Sequence, residues 1–560
     1  MKLLNMVIVF FLSQIFNLLF GGTFYITTSG NNSNNGLSES TAWATIEYAA
    51  QQVNAGDTVY VKAGTYTGEQ ITIPSGSSGS SIVFEGYKDT PGDVANIDWW
   101  DYETNRALDD SKMPLIDGQD RSTGTAFDLG SYITLKNFQI TNYNYGITCW
   151  GGTSNTLENL ILVNFGDVNA NYSGKGIGIY NSGDYDGNMT LKNCVVLNAG
   201  AEAYMIYSGN NVLENCKTYC DQGFPGQSDA AAATDYYFEI EGSNNTITNC
   251  YIERVGNLDH IGHGFTIKGD GHSYSGNLFE NCVARNLEGG GFAVRHSGVT
   301  NNTFKNCTSY DAVGFMIRDG ANYNKFYNCR AEDCGSAVRF MFTGEDPDNP
   351  DNAGNHNDFY NYTFINSNYV IDFNTYNGDY TKGANNNRFI NGVVDGGTDL
   401  YNSDRENSNN EIINSIIINV DELKTGNYAV NSIYTNTDFW NNNFTTPQGT
   451  DLLNSDPLFV DASSGDYNLT ATSPCIDAGT ADVSGLDLPS YDAAGNERIS
   501  DGNGDNTVVV DMGAYEYLNS GGGNNAPVAD AGSDQTVTDS NGDGSESVTL
   551  DGSGSSDSDG

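Results

Sequence analysis

Two glutamates stand two residues apart in the run Tyr237-Phe-Glu-Ile-Glu241. On a strand, side chains at i and i+2 leave the same face about 6.5–7 Å apart. Inverting cleavage of a glycosidic bond needs two carboxyls about 6.5–9.5 Å apart, one protonated for the leaving oxygen and one ionised to activate water. Glu239 and Glu241 suit that chemistry. A surface ion pair between Glu241 and Lys268 is the non-catalytic alternative. Four of the five histidines, His260, His263, His272 and His296, follow within a short stretch. Histidine titrates near neutral pH and serves proton transfer. His260-x-x-His263 has no third ligand at zinc spacing, so no metal site is expected.

A run of cations comes next. Gly264-Phe-Thr-Ile-Lys268, Gly291-Phe-Ala-Val-Arg295, Gly314-Phe-Met-Ile-Arg318 and Gly335-Ser-Ala-Val-Arg339 align, each ending on a positive charge. In each the penultimate residue points inward, so the last points out. Extended both ways, the predicted outward column is Trp150, Tyr180, Tyr207, Glu241, Lys268, Arg295, Arg318, Arg339 and Asp372. The chain has only 24 Lys plus Arg. Four stacked about 5 Å apart repel unless anions fill the gaps. The functional reading is a groove for a linear polyanion, with sugar faces stacked on Trp150, Tyr180 and Tyr207. The structural alternative is neutralisation by neighbouring acids such as Asp270 and Asp319.

What must position these residues is a repeat. Asn-x-apolar-x-Asn recurs ten times, beginning at Asn155, Asn188, Asn211, Asn245, Asn277, Asn302, Asn324, Asn357, Asn387 and Asn410. The Asn188 copy carries one extra residue. Gaps of 22 to 34 residues mean stacked coils. Each copy holds a short strand such as Thr303-Phe304-Lys305, flanked by asparagines at corners. Asparagine tolerates left-handed backbone and can form hydrogen-bonded ladders between coils. Six copies end in Asn-Cys, at Cys194, Cys216, Cys250, Cys282, Cys307 and Cys329. A column of buried thiols is expected in place of disulfides.

Composition agrees. The 560 residues include 66 Gly and 11 Pro, and the formal charge is −47, which argues against nucleic-acid binding. Residues 1–22 read as a signal peptide, which makes the protein secreted, with no later membrane span. Residues 23–450 form the coils, with a capping helix near Ala42–Val53 over the open end. Asp456-Pro457-Leu458-Phe459, Ser473-Pro474-Cys475-Ile476-Asp477 and Gly513-Ala514-Tyr515-Glu516-Tyr517 make residues 451–517 resemble the C-terminal cap of secreted bacterial β-helix proteins; 518–525 are a linker, and from Ala526-Pro-Val-Ala-Asp-Ala-Gly532 onward residues 526–560 resemble the start of a polycystic-kidney-disease-type β-sandwich module. Asp539–Asp543 could ligate a structural calcium, with a plain acidic turn favoured. No other cofactor is expected, and the chain is read as a monomer.

The coils resemble the right-handed parallel β-helix superfamily of polysaccharide lyases and hydrolases. That resemblance implies an all-β, right-handed parallel solenoid acting on polysaccharide. Iota-carrageenases carry Glu-x-Asp and a downstream His; Glu239, Glu241 and His263 correspond, with Glu in place of Asp. Polygalacturonases carry Gly-His-Gly, here Gly262-His263-Gly264, but their Asn-Thr-Asp and Asp-Asp motifs are missing. Alginate lyases and chondroitinase B carry a Lys base followed one coil on by Arg-His, here Lys268 and Arg295-His296. The leading expectation is an endo-acting hydrolase on a sulfated polysaccharide, with Glu239 as acid, Glu241 as base and His263 positioning. Lys268, Arg295, Arg318 and Arg339 would then bind sulfates. The runner-up is a uronate lyase in which Lys268 or His296 takes the proton and Arg295 neutralises the carboxylate. A noncatalytic glycan-binding solenoid is third.

Overall fold

The structure, a computed structural model, describes residues 21–94, 96–166, 176–222, 234–256, 262–344, 352–375 and 381–518. The body of the expected signal peptide, His260, nearly all of the linker and the 526–560 module lie outside these.

The polypeptide winds into a right-handed parallel β-helix of 36 strands joined in one continuous sheet. A middle coil contributes three strands. Glu202–Gly209, Val212–Glu214 and Lys217–Cys220 make one coil, and His263–Lys268, Leu278–Glu280 and Val283–Arg285 another. Each strand pairs in parallel with its counterpart one coil on, so the first, second and third strands of successive coils line up as three sheet faces, the first, second and third sheets, which merge where a long strand runs through a corner. Residues of equal rank therefore stack, and the interior fills with like on like. Phe238, Phe265, Phe292 and Phe315 stack at 4.8, 5.1 and 5.4 Å between ring centres. All ten cysteines are buried free thiols, including the predicted column.

The two asparagines of each repeat divide the labour expected of them. The first lies buried, and its Oδ1 accepts the backbone N–H of its counterpart one coil earlier. From Asn211 to Asn410 these bonds measure 2.9–3.1 Å. The second adopts left-handed backbone, as at Asn281, Asn306 and Asn328. The extra residue of the Asn188 copy has a simple cause. Met189 takes the ladder position and donates its N–H to Asn211, while Asn188 sits one place earlier. Asn302 is fully buried, and its Oδ1 accepts both the backbone and side-chain amides of Asn277. Asn302→Ala strands both donors and is expected to cost about 3 kcal/mol, read as a lower urea midpoint.

The N-terminal helix is shorter than predicted. It spans Ile46–Ala50, capped by Thr45, whose Oγ1 accepts the Tyr48 N–H at 3.3 Å. Trp43 is extended instead and bridges to Ile26, which removes the first turn of the predicted helix. At the other end, Cys475 and Met512 pack onto Ile416 and Ile418, and Arg498 meets Glu516 at 2.6 Å in the interior.

Burial pushes several carboxyls at the two ends upward: Glu69 to about 7, Glu516 to about 8, and Asp438 and Asp511 to about 6. A folded-state pKa above the unfolded value means that the native chain holds the extra proton in between. Stability is then fully present below the unfolded pKa, near 4, and lost as pH rises through the folded values. Acids held low, such as Asp319, act only below that window. The melting temperature is expected to peak near pH 5 and fall toward pH 8 in a calorimetric pH series; a flat profile would count against these burials.

Candidate active site

The first sheet presents three adjacent outward columns. The strand Tyr236–Ile240 places Tyr236, Glu239 and, just past its end, Glu241 outward, while Phe238 and Ile240 enter the core. A bend beside Tyr236 lets Tyr237 turn inward as well. One coil on, Gly264 fills that bend, where a Cβ would strike the Gly291 carbonyl. Gly264 is thus explained by close packing of coils, and Gly262 by its left-handed backbone at φ 60°.

Register corrects the predicted column. Lys268 pairs with Arg295, and Arg295 with Arg318, as expected. Arg318 then pairs with Met341, whereas Arg339 pairs with Met316 and Asp372 in the neighbouring column. Gly335 and Ala337 both fit the small-residue position, and the fold aligns Ala337 with Gly314. Tyr180 likewise falls one column over, because Ser182 pairs with both Trp150 and Tyr207. The buried polar Asn181 takes the inward place where an aliphatic residue was expected. The three aromatics still touch, edge to face, at 4.8 and 6.0 Å, and Trp150 is 61% exposed.

The cations do not form an open strip. Arg318 donates from Nε to Asp319 at 2.7 Å and from Nη2 to Thr343 at 2.9 Å. Arg339 binds Asp372 at 2.6 Å, and Arg295 donates to the Tyr236 hydroxyl. Arg295 and Arg318 are buried, while Lys268 and Arg339 keep about a fifth of their side-chain surface. The neutralising acids that were the structural alternative, Asp270 and Asp319, are both engaged.

At the centre, the Lys268 ammonium gathers three carboxylates. Its Nζ lies 3.1 Å from Glu239, 3.6 Å from Glu241 and 2.8 Å from Asp270. It also stands 5.8 Å above the Tyr236 ring. Glu239 is closed off from solvent; the Glu241 side chain is 12% exposed and that of Asp270 46%. Burial, then the charge of Glu239, raises Glu241 to about 8, against the pull of Lys268. Burial, Glu239 and Asp235 also hold Glu202 well above the carboxylate range. Burial would raise Asp270 too, but the hydrogen bond and charge of Lys268 prevail and hold it low. Burial would lower Lys268, yet Glu239 and Asp270 together keep its proton bound more firmly than in free lysine.

His263 pairs with Tyr236 and stacks on its ring at 4.7 Å, two columns away from Glu241. His296 is buried, and its Nδ1 accepts the Asp270 N–H at 2.8 Å, which fixes the turn carrying that carboxylate. Among the described residues no cluster of three or more His, Cys, Asp or Glu side chains is arranged to hold a metal ion.

Residues 24–312, just over half of the chain and including this centre, match the family described as Pel9A-like, right-handed β-helix region. The chain belongs to that family. This Pel9A-like chain matches no curated protein in sequence. Among solved structures, pectate lyase Pel9A is 14% identical with a TM-score of 0.33, over 89% of this chain and 97% of that one. The catalytic domain of a GH87 α-1,3-glucanase in complex with nigerose is 14% identical at TM-score 0.41, over 74% and 66%. The PL6 family alginate lyase AlyGC is 11% identical at TM-score 0.46, over 76% and 54%. These likenesses are of fold. In the Pel9A-like chain, Asp270, expected from sequence only as a neutralising neighbour of the cations, belongs to the centre itself. It sits in the Gly269-Asp270-Gly271 turn directly after the Lys268 strand.

Proposed function

We propose that this chain is a glycoside hydrolase acting on an anionic polysaccharide, with Glu241 as general acid and Asp270 as general base or nucleophile. The observation that carries this reading is the separation of two carboxyls around one ammonium: Glu241 is held protonated to about 8 and Asp270 is held ionised. Neighbouring carboxyls driven apart in this way are the mark of an acid–base pair. Both keep surface to offer a substrate. Glu239, first read as the acid, serves instead as the buried counter-charge of Lys268. Trp150, Tyr180 and Tyr207 would stack on sugar rings to one side. Lys268 and Arg339 are the cations with surface to meet sulfate or carboxylate groups.

One observation favours β-elimination as a second reading: Lys268 is followed in register by Arg295, in a family named for a protein described as a pectate lyase. A base must first lose its proton, however, and Lys268 is held charged, while His296 is closed off from solvent. Incubation with fucan, carrageenan, alginate, pectin and chondroitin decides. Hydrolysis is expected to release reducing ends without the ultraviolet absorbance of an unsaturated uronate. Both signals together would establish elimination, and neither would leave a binding solenoid.

A further inference from the structure

The corner between the first and second sheets repeats one backbone conformation. The residue before each ladder asparagine is left-handed. From Asn210 to Asn409 it is Asn or Gly at six coils, with φ of 54–73° at Asn210, Asn244, Gly276, Asn301, Asn386 and Asn409. Two adjacent coils break the rule with Tyr323 (φ 60°) and His356 (φ 54°). Left-handed backbone disfavours bulky side chains, tyrosine more than histidine, so local backbone preference does not account for this pair. Their rings lie parallel, 5.0 Å apart with 5° between planes, and Tyr323 is 53% exposed.

This platform borders a cleft of about 570 Å³ over the outer face of the second sheet. Its floor is one register column, Lys325, Asp358, Arg388 and Glu411, whose charges alternate in sign. Arg388 binds Asp358 through two nitrogens at 2.8 and 2.7 Å. The C-terminal segment supplies the far wall with Asp487. It is tied to the floor by the Gly485 carbonyl, which accepts from Arg388 at 2.8 Å, and the Leu486 carbonyl, which accepts from the Tyr360 hydroxyl at 3.1 Å. An alternating column has no net field to draw a polyanion, yet it lays out donors and acceptors in turn beside an aromatic face. Such pairing suits a ring with one apolar face and a rim of hydroxyls.

We propose that this cleft is a second, noncatalytic glycan site, which stacks an uncharged sugar of a polysaccharide on Tyr323 and His356. It lies on a different sheet from Glu241 and does not depend on the chemistry assigned there.

The test is native affinity electrophoresis of the full chain in gels containing xylan, mixed-linkage β-glucan or galactomannan. Wild type is expected to be retarded by at least one of them. The double variant Tyr323→Asn/His356→Asn restores the residue that most of the column carries, so it should melt no lower than wild type. Its apparent affinity is expected to drop about tenfold, the order of a lost aromatic contact. Wild type passing all three gels freely, or both proteins being retarded equally, would overturn the proposal. Retardation only by an anionic polymer such as alginate would overturn it as well.

Discussion

Glu241→Gln is expected to lower turnover of the polysaccharide by about 10²–10⁴-fold, the usual contribution of a general acid. Glutamine keeps the size and hydrogen bonding of a protonated glutamate but has no proton to give. Since Glu241 is already held neutral up to about 8, the variant should fold as stably as wild type. The loss would then be catalytic. The same value fixes the pH profile. Activity needs Glu241 protonated, so it should fall as pH rises through about 8. It needs Asp270 ionised, and Lys268 holds that group low, so the acid limb should lie below the ordinary aspartate range. A lyase using Lys268 as base would show the opposite alkaline trend, with rate climbing as the ammonium deprotonates. Unchanged turnover in Glu241→Gln, or a rate still rising beyond pH 9, would defeat the assignment.

Lys268→Met should be the most destabilising single change at the site. It removes the ammonium shared by Glu239, Glu241 and Asp270, and Glu239 has no route to water. Breaking a buried pair from one side costs about 3–5 kcal/mol. Lys268 is partly exposed, so a loss of about 3 kcal/mol at neutral pH is expected. The sign of the pH dependence follows from the carboxylates left behind. Without the cation Glu241 and Asp270 hold their protons more tightly in the folded state, so the penalty is present at neutral pH, fades as pH falls, and is gone only below the unfolded carboxyl values near 4. Urea midpoints at pH 7.5 and 4.5 test this, and the added change Glu239→Gln should recover part of the loss. Equal midpoints for wild type and Lys268→Met at pH 7.5 would mean that the carboxylates are satisfied some other way.

Much of the solenoid could be read directly from residue types because each coil copies its neighbour. Asn302, Phe292 and Cys282 each meet a residue of their own kind one coil away, so composition and period carry the contact map. The outward face was harder. Register there rests on a single small residue at the bend, and wherever two candidates lay two apart, as at Gly335 and Ala337, the pattern had no way to choose. That slip moved Arg339 out of line with Arg318. Asn181 defeated the inward-apolar rule outright, and Tyr180 shifted with it. Arg339 and Asp372 remain neighbours as the column predicts, and Asp319 neutralises Arg318 as the structural alternative had it. Asp270 lies in a turn, outside any periodic strand, so residue types could mark it as a neutralising acid but not as a partner of Glu241 held from two sides by Lys268 and His296.

The reduced cysteines along the axis have a consequence for the life of the chain before it folds. Once wound, the polypeptide gives an oxidant no sulfur to attack, since all ten are sealed inside. Before winding, the same atoms are strung along a floppy chain at intervals short enough to meet one another. Bridges formed then would lock segments that belong on successive turns into the wrong partnership. In an oxidising compartment maturation would therefore be a race between winding and oxidation, and the sooner each turn settled on the last, the fewer sulfurs would remain within reach.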